Sequence, residues 1–414
     1  MTTPRRADNF CDVGAAHGTR AMLAPRFRRI AAPLVDQSER AWRILCRENG
    51  ADLAYTPMLN AKLMATEPAY VPRHFDPGDR PLVAQLAGHD PSHLVAAAKI
   101  CAPHVDAIDF NLGCPQQIAQ TGRYGAFLLE ETPNTVMDCV RALVAALPST
   151  PMTAKMRLQS TSAATIHAAK QLQDAGISAL CVHGRTRHQT NRLLGNGSAD
   201  WEAIRSVVQA LDIPVIANGG IDSFQAVDAC MEQTGAAGVM AAEALLENPA
   251  LFNANRPPLV VSTELALNAQ ADNAARIDQD ALLMRYLELC DDHPPPKGIS
   301  MVKEHVRKFV HHGLEQWPDL DDELFVSSTL SQVIGVAERL KKRGWVQPGF
   351  HTESERSELS WYLRHRSTRE ERAKARAEAI GVEEEATRAG WHKSYSARAA
   401  SKRHAAARKA VRRK

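Results

Sequence analysis

The chain has 414 residues, of which 44% are hydrophobic and 23% are charged. This length exceeds one average domain, and the composition is that of a globular protein with enough apolar side chains for a full core. No run of about 18 apolar residues occurs, so we expect no membrane span. The first 25 residues hold no apolar segment of the kind found in secretory signals, so export is not expected either.

The positive charges are unevenly distributed. The formal net charge is +3, but nine Lys and Arg residues and no Asp or Glu follow Trp391, so the rest of the chain carries −6. Such a basic tail commonly serves a polyanion or nuclear import, and the alternative is a solvated, disordered end. We therefore predict a cytoplasmic protein, with entry into the nucleus as an alternative that the tail allows.

The eight cysteines include no C-x-x-C pair. Cys101, Cys181 and Cys230 lie inside apolar runs, so we expect reduced, buried thiols rather than a disulfide framework or a zinc ribbon. The 16 histidines show no H-E-x-x-H or comparable spacing. No metal site is predicted.

After an irregular leader over residues 1–25, short runs rich in Val, Ile, Leu and Ala alternate with longer segments of helical period. The eight predicted strands begin near Arg29, Asp52, Pro81, Asp106, Pro151, Ser178, Ile213 and Ala237. Eight βα units over residues 26–255 favour a closed (β/α)8 TIM barrel. The alternative is an open doubly wound sheet, which would normally carry a G-x-G-x-x-G turn that this chain lacks.

The pattern changes beyond the eighth unit. From Asp280 to Gly344 the sequence is helical in period, with an apolar stripe that includes Val302, Val306 and Phe309. We predict a C-terminal helical domain over residues 256–346. The charged region over residues 347–414 is expected to form a basic, disordered tail.

Polar residues recur where the predicted strands end, which is where such barrels place reactive groups. Asn218, Gly219 and Gly220 follow the seventh strand, where backbone N–H groups commonly bind phosphate; the alternative is a tight turn without a ligand. Gln85 suits the uracil-like edge of a flavin, and Lys155 suits the negative charge of a reduced flavin.

Cys114 lies between Gly113 and Pro115 after the fourth strand, so it is a turn residue rather than a core thiol. A thiol has a reference pKa of about 8.5, so it is protonated at neutral pH and can donate a proton. The alternative is a small apolar filler. Arg157 and Arg185 end neighbouring strands and can polarise a substrate carbonyl or bind phosphate, with surface salt bridges as the alternative.

Six ordered motifs resemble the dihydrouridine synthase family, over roughly residues 30–252. They are Asp109–Pro115, Gly122–Leu128, Lys155–Arg157, Val182–Thr186, Pro214–Gly219 and Asn248–Phe252. The first two are similar to the family's D-L-N-x-G-C-P and G-x-Y-G-A-x-L patterns. The segments Val35–Glu39, Tyr55–Met58 and Met240–Phe252 resemble the eukaryotic branch that acts at positions 16 and 17 of tRNA.

The resemblance implies an FMN- and NAD(P)H-dependent reduction of the C5–C6 double bond of uridine in the tRNA D-loop. Hydride would pass from FMN N5 to C6, and Cys114 would protonate C5. Lys155, Arg157 and Arg185 would stabilise the uracil carbonyls, and Asn111 would join the two arginines in binding the substrate. The implied FMN contacts are Pro33, Leu34, Val35, Gln85, Lys155, His183, Asn218, Gly219, Gly220, Ala242 and Glu243.

Three positions depart from the usual family pattern. Leu34 replaces a Met, and Gly220 stands where an acidic or amide residue is common. Ala242 and Glu243 stand where most members have Gly-Arg, although the eukaryotic branch shares Ala-Glu. A carboxylate beside a phosphate would be repulsive, so we expect Glu243 to turn away and backbone N–H groups to serve the phosphate.

The resemblance further implies that the C-terminal helical domain binds tRNA, with Lys297, Lys303, Arg307 and Lys308 as the candidate contacts. The basic tail would add non-specific, salt-dependent affinity. We expect a monomer. Two alternative functions are an FMN-dependent reductase of a free pyrimidine, and an RNA-binding protein without catalysis; the second is disfavoured because Cys114 and Lys155 are both present.

Overall fold

The computed structural model describes residues 27–189, 199–253 and 279–345. These residues form two compact units, the first made of residues 27–189 and 199–253 and the second of residues 279–345. The leader over residues 1–25 and the tail over residues 347–414 lie outside the described residues.

The first unit is a closed barrel of parallel strands. The strands are β1 (Arg29–Ala31), β2 (Leu53–Tyr55), β3 (Leu59–Asn60), β4 (Leu82–Ala87), β5 (Ala107–Leu112), β6 (Met152–Leu158), β7 (Ala179–Thr186), β8 (Val215–Asn218) and β9 (Gly238–Ala241). The order β2-β1-β9-β8-β7-β6-β5-β4 closes on itself because β2 also pairs with β4. The predicted (β/α)8 barrel is confirmed, and closure excludes the open sheet. The short β3, which pairs only with β4, was not predicted.

Helices follow the strands and cover the outside of the sheet. They are α1 (Arg40–Glu48), α2 (Ala61–Thr66), α3 (Pro91–Cys101), α4 (Gln117–Thr121), α5 (Ala126–Glu131), α6 (Pro133–Ala146), α7 (Ser162–Asp174), α8 (Trp201–Ala210), α9 (Phe224–Thr234) and α10 (Glu243–Glu247), with 3-10 turns at Pro68–Arg73 and Ala102–His104. Local chemistry sets their starts. The Asp90 side chain accepts hydrogen bonds from the N–H groups of Ser92 and His93, which fixes the first turn of α3.

The barrel is sealed below its carboxyl ends by apolar side chains. Ile30, Tyr55, Val83, Cys181 and Met240, all between 0% and 1% exposed, belong to one cluster that fills the interior. Neighbouring strands are buried on both faces, as the six consecutive buried residues of β4 and of β5 show. The predicted burial of Cys101, Cys181 and Cys230 is confirmed.

The second unit is helical, as predicted. Its helices are α11 (Gln279–Asp292), α12 (Ile299–Phe309), α13 (His311–Gln316), α14 (Pro318–Val326) and α15 (Leu330–Arg343). Val302, Val306 and Phe309 are at most 2% exposed, so the predicted apolar stripe forms the inner face of α12. Within the described ranges no helix combines the length and apolarity needed to cross a membrane.

Candidate functional site

The inward faces of the strands change from apolar to polar towards the carboxyl ends. Side chains alternate along a strand, so inward positions are two residues apart. In β5 the inward series is Ala107, Asp109 and Asn111, and in β4 Val83 is followed by Gln85. The same change occurs in β7, from Cys181 to His183, and in β8, from Ile216 to Asn218, whereas the inward positions of β6 are polar along the whole strand. Polar groups from five adjacent strands therefore converge at one end of the barrel.

Strand register arranges these polar groups in rows. The row nearest the apolar core joins Gln85, Asp109 and Thr153, which are paired neighbours across β4, β5 and β6. The later rows are Asn111–Lys155–Cys181 and Arg157–His183–Asn218. Six residues predicted for catalysis, substrate binding or cofactor binding thus lie in adjacent rows: Gln85, Asn111, Lys155, Arg157, His183 and Asn218.

A chain of buried hydrogen bonds joins the lowest row to the cysteine loop. The Thr153 hydroxyl donates to Asp109 Oδ1 (2.6 Å), and Gln85 Nε2 donates to Asp109 Oδ2 (2.9 Å). Asn111 Nδ2 donates to Gln85 Oε1 (2.7 Å). Asn111 Oδ1 then accepts from the backbone N–H of Cys114 at 3.1 Å and from that of the preceding glycine at 3.2 Å. The position of Cys114 is therefore connected to the barrel interior.

Cys114 lies on the loop after β5, as predicted, and is partly exposed, whereas the other cysteines of the described ranges are buried. Its carbonyl accepts from the N–H of Ala126 (3.0 Å), and Gly125 is packed against it. Partial burial raises the pKa of the Cys114 thiol, although Arg157 and Lys155 act in the opposite direction. The thiol consequently remains protonated at neutral pH, as a proton donor requires.

Arg157 links the loops after β5 and β7. Its Nε donates to the carbonyl of Gly113 (2.8 Å), and its Nη1 donates to the carbonyls of Thr186 (3.0 Å) and Gln189 (3.3 Å). Nη2 takes no part in these bonds. Burial and the nearby Arg185 lower the pKa of Arg157 to about 10, so it remains a cation at neutral pH. Arg157 therefore holds the loop that carries Cys114, and its guanidinium is a positive charge near the Cys114 thiol.

Burial lowers the pKa of both Lys155 and His183 at this end of the barrel. Burial lowers the pKa of Lys155, while the side chains of Cys181 and Asp109 favour its charged form. Burial and the cations around it, Arg157 first, hold the pKa of His183 well below its ordinary value, so the imidazole is neutral. His183 Nε2 lies 3.3 Å from Arg185 Nη1 and must accept, because a guanidinium only donates.

The turn after β8 forms a cradle that only glycine can build. Gly219 and Gly220 have φ angles of +99° and +77°. A Cβ on Gly219 would lie 2.8 Å from His183 Cδ2, and a Cβ on Gly220 would lie 3.2 Å from the Trp201 indole nitrogen. That nitrogen donates to the Gly219 carbonyl (3.0 Å). The exposed backbone of this turn lies against His183, which is in turn bonded to Arg185, and it is suited to bind a phosphate group.

The remaining predicted cofactor residues lie elsewhere around the same barrel end. Leu34 and Ser38 close a turn after β1 in which Val35 is 55% exposed. Ala242 precedes α10, and Glu243 is its first residue. Gln85 is different, because its side chain is 0% exposed and its amide is bonded on both sides.

Three of the four predicted RNA contacts are engaged inside the helical unit. Lys303 Nζ donates to the carbonyls of Phe325 and Ser327 (both 2.8 Å), and Arg307 pairs with Asp321 (3.1 Å). Lys308 is only 3% exposed. By contrast, Lys297 lies on the surface. The RNA-binding role of these residues stays a prediction, with Lys297 the most accessible of them.

Sequence reasoning did not assign a role to three residues that shape the site. Asp109 lies two positions before Asn111 and therefore on the same strand face, which is a periodicity that the sequence displays. Thr153 and Gly125 are harder to identify from the sequence. The register of β5 against β6 and the close approach of Gly125 to Cys114 exist only in the folded chain.

This chain is similar to proteins of one family and to several relatives within it. The family model of dihydrouridine synthases (Dus) matches residues 29–288. A Rattus norvegicus protein named as tRNA-dihydrouridine(16/17) synthase-like is 41% identical over 320 residues, covering 76% of this chain and 67% of that protein. The tRNA-dihydrouridine(16/17) synthase of Schizosaccharomyces pombe is 38% identical over 305 residues, with 72% and 73% covered. That of Saccharomyces cerevisiae is 45% identical over 235 residues, with 54% of each chain covered.

Proposed function

This chain belongs to the dihydrouridine synthase family, and we propose that it reduces uridine to dihydrouridine in tRNA, at positions 16 and 17, with NAD(P)H as the reductant. The names of its relatives supply the substrate, the positions and the reductant. The observation that carries the proposal is the convergence of a protonated thiol, Cys114, with the cations Lys155 and Arg157 at one barrel end.

FMN is the cofactor that this site fits best. The glycine cradle at Gly219 and Gly220 would hold its phosphate, and Lys155 would lie near the ring positions that become negative on reduction. When bound, FMN supplies a hydride to C6 of the uracil ring. The neutral imidazole of His183 adds no positive charge to this pocket but can offer its Nδ1 proton, because Nε2 accepts from Arg185.

Cys114 would complete the reduction by donating its proton to C5 of the same ring. The overall change is balanced, since uridine gains one hydride and one proton while the nicotinamide loses the hydride and solvent reprotonates the thiolate. A thiol whose pKa is raised by burial stays loaded with its proton between turnovers. The loop contacts through Asn111 and Arg157 hold this donor in one place.

Negative charge develops on a uracil carbonyl as hydride arrives at C6. Lys155, Arg157 and Arg185 are positioned to oppose that charge without reorganising, since Arg157 is already fixed by three carbonyls. A uridine must leave its stack to reach such a recessed site, and D-loop nucleotides are more easily extruded than paired ones. The helical unit would contact the tRNA, and the basic tail would add salt-dependent affinity.

The test uses purified full-length protein, its visible spectrum, and NADPH with unmodified tRNA. We expect a flavin spectrum and dihydrouridine at positions 16 and 17, mapped by mass spectrometry. Transcripts with cytidine at those two positions should give no product. A colourless protein without product would contradict the proposal.

Substrate choice is tested in the same assay. Free uridine, uracil and orotate replace the tRNA at matched concentration, and flavin reoxidation is followed. Turnover of a free pyrimidine with none on tRNA would favour the alternative reductase. Dihydrouridine at other D-loop positions would retain the reaction and refute only the assigned positions.

A further inference from the structure

The buried hydrogen bonds that connect Asp109 to Cys114 form a chain in which each group can only donate or only accept at its position. Backbone N–H groups only donate, so Asn111 must turn Oδ1 towards the N–H groups of Gly113 and Cys114. Its amide nitrogen then faces Gln85, whose Oε1 must accept (2.7 Å). The Gln85 amide nitrogen is left to face Asp109 (2.9 Å). Each side-chain amide therefore has a single orientation, and if one amide flipped, the next amide would have to flip as well.

An ionised carboxylate is the group that fixes such a direction, because it accepts on both oxygens and cannot donate. Asp109 is 0% exposed and receives bonds from Gln85 and from the Thr153 hydroxyl (2.6 Å). Burial raises the pKa of Asp109 to about 6, against the effect of these bonds and of Lys155, so the group is largely ionised at neutral pH. An amide at this position would present either an oxygen or a nitrogen to Gln85.

We propose that Asp109 is a positioning residue which, through Gln85 and Asn111, fixes the backbone of Gly113 and Cys114 and so places the thiol for proton donation. The proposal rests on the proposed function for its catalytic meaning, but not for the geometry. It gives the buried Gln85 a role in addition to the flavin contact that the resemblance implies.

Exchanging the carboxylate of Asp109 with the amide of Gln85 tests the direction of this hydrogen-bond chain. In D109N the amide can face Gln85 either way, so the loop N–H groups lose their acceptor in part of the molecules. In Q85E two carboxylates face each other and must share a proton, so the chain is intact only at low pH. In the double variant D109N/Q85E, the carboxylate introduced on β4 accepts both from the amide introduced on β5 and from Asn111. The original direction at Asn111 then returns with the same net charge.

Two readouts follow these variants. The first is kcat for dihydrouridine formation, expected to fall about tenfold in D109N, equal to about 1.4 kcal/mol in the activation barrier, with the KM for tRNA unchanged. In Q85E, kcat should fall as the pH rises. The second is the rate of Cys114 alkylation by iodoacetamide, followed by peptide mass spectrometry, which should rise several-fold when the loop loosens. Both readouts should return towards wild type in the double variant.

The control is Thr234→Val, which removes a buried hydroxyl bonded to the Cys230 carbonyl (2.6 Å) outside this site. It should lower the melting temperature without changing either readout. Unchanged alkylation in D109N, or a double variant as impaired as the worse single one, would overturn the proposal. Loss of FMN in Q85E that the double variant does not restore would assign Gln85 to direct cofactor contact instead. If the wild type forms no dihydrouridine, the alkylation readout still tests the positioning role.

Discussion

Replacement of Gly125 by Ala should displace Cys114 and remove most of the activity. Gly125 has φ +76° and ψ −146°, a conformation in which side chains cost about 1–3 kcal/mol. A Cβ there would lie 2.6 Å from the Cys114 carbonyl oxygen and 2.9 Å from its Cβ. Ordinary contact begins near 3.4 Å, so the cysteine backbone must move by roughly 0.8 Å, and a shift near 1 Å typically costs about 10²-fold in rate.

Gly298 provides a matched control for the backbone strain. Its φ of +63° and ψ of −145° are almost those of Gly125, yet a Cβ there would meet nothing within 4 Å. Both Ala variants should lose stability to backbone strain in thermal denaturation, and Gly125→Ala should lose more because its Cβ also meets the backbone of Cys114. Only Gly125→Ala should change the rate of Cys114 alkylation and lower kcat under saturating tRNA. Equal effects of the two variants on alkylation would refute the steric argument.

Three further outcomes are expected. Activity should fall at alkaline pH as the thiol of Cys114 loses its proton, with a midpoint above the ordinary thiol pKa, and the rate of alkylation should rise over the same range; an acidic midpoint would contradict the assignment. Asp79→Asn should destabilise the barrel by about 3–5 kcal/mol, because it leaves Arg43 and Arg47 without their buried carboxylate. Burial alone would raise the pKa of Asp79, but these two arginines hold it below its ordinary value. The stabilisation is therefore present above the pKa of the unfolded state and is lost as the pH falls through the pKa of the folded state. Denaturation at several pH values checks this dependence. Lys303→Met should lower the melting temperature of the helical unit, because two carbonyls at the end of α14 lose their donor at about 1–3 kcal/mol; a change in tRNA affinity without a change in stability would instead support an RNA contact.

The sequence alone predicts the barrel because its evidence is local. Each predicted strand from Arg29 to Ala237 is a short β-rich run followed by a helical segment, and the structure confirms all eight. The two residues of β3 are too few to show a period. Cys114 was identifiable because Gly113 and Pro115 define a turn, and that position is confirmed.

The internal connections of the site depend on register and tertiary contact, which a single sequence does not display. The pairing of Asp109 with Gln85 and Thr153 follows from how β4, β5 and β6 align. In the helical unit, Lys303 and Arg307 have the i,i+4 spacing of a charged helix face, but the structure directs Lys303 to backbone carbonyls and pairs Arg307 with Asp321. Charge pattern alone does not distinguish such internal roles from a surface that faces RNA.

The most direct test of the central claim compares Cys114→Ala with Cys101→Ala in a single turnover. Cys101 is fully buried in α3 and serves as the matched thiol control. Enzyme reduced beforehand with NADPH is mixed with unmodified tRNA, and flavin reoxidation and dihydrouridine are followed together. We predict that Cys114→Ala retains its flavin and is reduced normally but forms dihydrouridine at least about 10²-fold more slowly, whereas Cys101→Ala behaves as wild type. Equal rates of product formation in the two variants would contradict the account.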